Sequence, residues 1–106
     1  MKQKIIYFEY GGRMNCHYSP SQDGISAEQF LNNLRIFRDG DDIRVDWHNR
    51  FIMMSYVGGD QVIKVYAEER EWDNQGNSQR ISYDLVKSLE VPLYQGKQPI
   101  SSQPKE

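Results

Sequence analysis

The chain has little of what builds cofactor, metal or membrane sites. Among its 106 residues there is one cysteine, Cys16, so no disulfide forms within it, which suits a reducing compartment. There are two histidines, His17 and His48; with Cys16 they fall short of the roughly four ligands at regular spacing that a structural zinc takes. Basic charge is not in excess. Thirteen Lys and Arg stand against 15 Asp and Glu, giving a formal net charge of −2 and a pI near 5.7, whereas general affinity for nucleic acid normally shows a basic balance. No apolar run approaches the ~20 residues of a membrane-spanning helix. The N-terminal run is broken by Glu9 and is followed by no small-residue cleavage motif, so it reads as a strand and not as a leader. These absences lead us to expect a cytoplasmic protein with no cofactor, no metal, no membrane association and no nucleic-acid partner.

What the chain does have is aromatic and β-branched residues in periodic runs. In residues 42–70, three such runs are separated by His48-Asn49 and by Gly58-Gly59-Asp60, the pattern of a three-stranded antiparallel meander. A two-residue turn at His48-Asn49 sets Trp47 opposite Arg50, Val45 opposite Ile52 and Ile43 opposite Met54. A turn at the glycines adds the third strand. One apolar face results, made of Ile43, Val45, Ile52, Met54, Tyr56, Ile63, Val65 and Ala67. A slip of one residue would turn that whole set outward.

Around the meander, residues 4–10 and 13–18 read as a hairpin about Gly11-Gly12, with Tyr7 opposite Cys16 and Ile5 opposite Tyr18. A long helix is expected next. Ser26 is its N-cap and Gln29 completes a capping box; Ile25 and Phe30 have staple spacing. Ala27, Phe30, Leu31, Leu34 and Phe37 form the buried stripe, and Gly40 is the stop. A short second helix is expected over residues 83–89, capped by Ser82 and ended by Pro92. The predicted order is β-β-α-β-β-β-α, an α+β two-layer sandwich forming one domain over residues 1–94, with a flexible polar tail at 95–106.

Catalytic signals are sparse. Neighbouring strand residues point to opposite faces, so His17 does not serve Cys16 as a base, and Cys16 is expected to be a packed thiol. A His17–His48 pair would be needed for a small acid–base nuclease or hydrolase, the first alternative function. Carboxylates gather at the two ends of the expected meander: Asp39, Asp41, Asp42 and Asp60 at one, Glu68, Glu69, Glu71 and Asp73 at the other. The DGDD stretch lacks the ligand spacing of an EF-hand loop. Charges at strand ends discourage edge pairing, and a rim of them steers a basic partner.

The second face of the meander brings Phe51, Met53 and Tyr66 together, residue types favoured at protein interfaces. The competing reading has the second helix, or Leu93 and Tyr94, covering that face. The expected function is therefore that of a non-enzymatic protein-binding module of the bacterial immunity-protein or antitoxin kind. It would neutralise a basic toxin or effector domain by stoichiometric binding. A phage or structural accessory subunit that self-associates through sheet edges is the second alternative.

Overall fold

The computed structural model describes residues 1–93 and corrects the expected fold class. The chain forms two antiparallel sheets with very little helix. β1 (Lys2–Tyr10), β2 (Arg13–Tyr18), β6 (Val62–Trp72) and β7 (Ser78–Glu90) form a four-stranded sheet in the order β2-β1-β6-β7. β3 (Arg35–Asp39), β4 (Asp42–Trp47) and β5 (Arg50–Ser55) form a three-stranded sheet in sequential order. A 3-10 turn (Pro20–Asp23) and one short helix, α1 (Ala27–Asn32), connect them. No helix among the described residues is long and apolar enough to cross a membrane. Tyr94 and the expected tail at 95–106 lie outside the described residues.

The long helix is cut short and the second helix is absent. Ser26 does cap α1: its Oγ accepts from Gln29 N at 3.0 Å, while Gln29 Oε1 accepts from Ser26 N at 2.9 Å. Phe30 is fully buried at the staple position. The helix nevertheless ends at Asn32-Asn33, where the Asn33 amide donates to Gln29 O at 2.7 Å. Beyond it, Ile36 pairs with Val45, Arg35 with Asp46 and Asp39 with Asp42 about the two-residue turn Gly40-Asp41, with Gly40 at φ 62°. A strand ladder with β-branched and aromatic residues wins over helix continuation through two asparagines. Residues 78–90 pair along nearly all of β6 and are strand throughout. Residues 71–79 hold the ends of this hairpin. Its turn is organised by Asp73, whose Oδ1 accepts from Gln75 N at 2.8 Å and Asn77 N at 2.9 Å.

The meander is broken between its second and third strands. The β4–β5 hairpin has the expected register, Trp47 with Arg50, Val45 with Ile52 and Ile43 with Met54. His48 in its turn takes φ 55°. After Ser55 the chain crosses to the other sheet, and β6 pairs with β1 and β7. The crossover is tied to the first hairpin. The Tyr10 hydroxyl accepts from Val57 N at 3.0 Å and donates to Asp60 O at 2.9 Å, and Asp60 Oδ2 accepts from Gly11 N at 2.8 Å.

The predicted apolar face survives this change of topology, because the two sheets pack those residues against each other. Ile43, Val45, Met54, Ile63 and Val65 are buried, and Ile52, Tyr56 and Ala67 pack around them. The first hairpin is shifted by one residue. Asn15 is an extra residue opposite the Phe8–Glu9 step, so Tyr7 pairs with His17, Phe8 with Cys16 and Ile6 with Tyr18. Ile6, Phe8, Tyr10 and Tyr18 thus enter the core in place of Ile5 and Tyr7; Cys16 packs at its margin. Phe8, Tyr18, Phe30 and Trp47 form an aromatic centre with ring centroids 5.1–6.0 Å apart. At its edge the Tyr18 hydroxyl donates to Asp23 at 2.5 Å, and Arg50 donates to both carboxylate oxygens. Hydrogen bonds first from Arg50 and then from Tyr18 lower the Asp23 pKa to about 2.

Candidate functional site

The outer face of the three-stranded sheet is a grid fixed by strand register. Arg35, Asp46 and Phe51 form one row across β3, β4 and β5; Phe37, Arg44 and Met53 form the next; Asp39, Asp42 and Ser55 form the last. Phe51 and Met53 are each 53% exposed, so nothing among the described residues covers this face. A shallow groove of about 350 Å³ runs over it, lined by Phe37, Asp39, Asp42, Arg44, Asp46 and Met53. Arg44 lies over the Phe51 ring at 4.0 Å and its Nε donates to Asp46 at 2.6 Å, which holds the ring and the guanidinium in place. Three carboxylates face two guanidiniums, and the Asp39–Asp42 end carries no cation. The arrangement suits contact with a basic, partly apolar surface.

The predicted site residues are distributed over the molecule. Phe51 and Met53 lie together on this face, with Asp39 and Asp42 in its last row. Asp41 is in the adjoining turn, and its carbonyl accepts from Tyr56 N at 2.7 Å. The Asp60 carboxylate is taken up by the crossover. The other acidic end is largely structural. The Met1 amino group donates to Glu71 at 2.8 Å, Asp73 organises its turn, and Glu69 is half-buried opposite Lys4 and Ser82. Tyr66 is not near Phe51 and Met53, because β6 belongs to the other sheet. Phe37, expected in the core stripe of a helix, is instead part of the exposed face.

Glu68, expected at an exposed acidic end, is fully buried. It lies on the outer face of the four-stranded sheet beneath a lid of side chains. Its Oε1 accepts from Tyr7 Oη at 3.0 Å and Arg70 Nε at 3.2 Å, and its Oε2 from Arg70 at 3.0 Å and Arg80 Nε at 2.6 Å. Burial alone would raise its pKa, but the bonds from Arg70, Arg80 and Tyr7 outweigh that and hold it at about 2. Rings surround the cluster. Tyr66 and Tyr83 stack at 4.9 Å with 10° between planes, Tyr7 is 5.9 Å from Tyr83, and His17 is 6.2 Å from Tyr7.

The two histidines are not brought together. His17 faces outward from β2 beside Tyr7. The next residue, Tyr18, faces inward against Trp47, and His48 lies in the β4–β5 turn of the other sheet. Among the described residues no group of three or more His, Cys, Asp and Glu side chains is placed to hold a metal ion. No protein-family model, curated protein or solved structure matches the chain.

Proposed function

We propose that the protein is a binding module that engages a basic protein partner through the outer face of the three-stranded sheet. It would act as immunity proteins and antitoxins do, by occupying its partner's surface one to one. The observation that carries this reading is the pairing of half-exposed Phe51 and Met53 with the groove bordered by Asp39, Asp42 and Asp46. Large apolar side chains held exposed on a rigid strand lose little entropy on binding and supply anchors. The carboxylates around them select the sign of the partner and speed its approach.

The test is affinity capture from the native host with the wild-type chain, the Phe51→Ala/Met53→Ala double variant and the Asp39→Asn/Asp42→Asn double variant. Both pairs are surface changes, expected to leave stability within about 0.5 kcal/mol. The wild type is expected to retain a basic protein at one-to-one stoichiometry. The apolar variant should lose it, and the Asn variant should associate more slowly with less dependence on salt. Retention of the same protein by both folded variants would contradict the proposal.

A further inference from the structure

β7 is the last strand of the four-stranded sheet, and among the described residues it pairs with β6 alone. We propose that this free edge is the interface of a homodimer. In it, β7 of one copy pairs antiparallel with β7 of a second copy, about a two-fold axis between Leu85 and Val86. The inference goes beyond the protein-binding reading and does not rest on it, because β7 and the Phe51–Met53 face belong to different sheets.

Three observations carry it. The first is the strand itself. Folded proteins blunt their sheet edges with short strands, prolines and outward lysines. The other edge strands are short: β2, β3 and β5 have six, five and six residues. β7 has 13 and no proline, and its one lysine, Lys87, is turned inward, where Nζ donates to Leu31 O at 3.0 Å. An edge of this length presents a row of N–H and C=O groups that an added strand satisfies.

The second is the set of side chains along it. Ile81, Leu85 and Val86 are 51%, 52% and 40% exposed. Large apolar groups spaced along an unguarded edge mark a place where another strand docks.

The third is self-complementarity. Opposite β6, Asp84 pairs with Ala67 and Lys87 with Val65, while Tyr83 pairs with Glu68 and Ser88 with Lys64. Val86 is the extra residue of a bulge, so Asp84 and Lys87 share the inner face and Tyr83 and Ser88 the outer one. Two copies centred between Leu85 and Val86 therefore set Asp84 against the second copy's Lys87, Tyr83 against its Ser88 and Ser82 against its Leu89, each pair on one face of the joined sheet. Leu85 and Val86 meet the second copy's Val86 and Leu85 at the axis. Without the bulge, the same register would oppose residues of opposite faces. Asp84 is exposed and has no ion-pair partner among the described residues, and two of the three Lys87 ammonium protons remain for it. Opposite charges directly across an antiparallel ladder are favourable, and the two-fold axis makes this pair twice. Such an isologous contact uses both free β7 edges and closes at two copies.

The experiment is sedimentation velocity of the full chain from about 1 to 500 µM, with the fold of each variant checked by circular dichroism. The wild type is expected to pass from 12.5 kDa to twice that mass and no further. Leu85→Lys, an exposed change at the axis, should weaken association about 10-fold or more. Asp84→Lys and Lys87→Glu should each weaken it about as much, since each sets like charges opposite one another at two places. Mixed together, those two variants should recover a dimer, because only the heterodimer has opposite charges at both places. Phe51→Ala should associate as the wild type does, so failure here and failure of the protein-binding reading are distinguishable. A wild type that stays monomeric would overturn the proposal and leave β7 to a strand of another protein. So would a mass that rises beyond two copies, a dimer insensitive to both Leu85→Lys and Asp84→Lys, or a mixture of the two folded charge variants that stays monomeric.

Discussion

Glu68 and Phe51 break the ordinary rule for charged and apolar side chains in opposite directions. The charged residue is buried and the large apolar one is half exposed, and each marks a surface. Glu68 also makes stability depend on pH in a definite sense. Its pKa is lowered from 4.5 to about 2 in the folded chain. A lowered carboxylate pKa adds stability that is complete above the unfolded value and is lost as pH falls toward the folded one. The contribution therefore disappears between roughly pH 4.5 and 2, in a window shared with Asp23, which is lowered from 3.8 to about 2. Glu68→Gln should destabilise the protein by about 1–3 kcal/mol at pH 7. That is below the ~3–5 kcal/mol for breaking a fully buried pair, because Arg80 is half exposed. The variant's urea midpoint should also fall less steeply than the wild type's below pH 4.5. Parallel acid limbs for the two proteins would show that Glu68 is not the group responsible.

At the scale of elements, the short turns carried most of the information and the helical periodicities misled. His48-Asn49 specified β4–β5 to the residue, because a two-residue turn leaves one register that buries Ile43, Val45, Ile52 and Met54 together. Gly40 was legible as a break and was assigned to the wrong side of it. Asp39-Gly40-Asp41-Asp42 is a hairpin turn, and with it Phe37 moves from a helix stripe to an exposed sheet face. Gly40 at φ 62° is needed there; Gly40→Ala should cost about 1–2 kcal/mol in a denaturant titration, and a neutral result would argue against this turn. β7 was hidden for another reason. Two bulges leave Ile81 and Val86 as extra residues opposite β6, and both are exposed. Each bulge shifts the alternation by one, so Ile81, Leu85, Val86 and Leu89 imitate helical spacing. The bulge at Asn15 shifted the first hairpin in the same way. Nothing in local sequence marked the crossover after Ser55, which depends on contacts of Tyr10 and Asp60 that are distant along the chain.

At the scale of the whole molecule, one core separates two outward faces of different chemistry. The three-stranded sheet presents Phe51 and Met53 among carboxylates; the four-stranded sheet presents tyrosines among guanidiniums. Of the acidic and aromatic candidates visible in the sequence, Phe51, Met53, Asp39 and Asp42 share one face, while the split of the meander sends Tyr66 to the other sheet and Glu68 is buried there. The claim that the three-stranded sheet carries the partner is tested most directly by nitrogen-15 NMR of the labelled chain, titrated with the protein recovered by capture. The account predicts shift changes or broadening confined to β3, β4 and β5, strongest at Phe37, Arg44, Phe51 and Met53, with the amides of Tyr7, Tyr66 and Tyr83 unmoved. Changes centred on β6 and β7, with β5 unaffected, would contradict it.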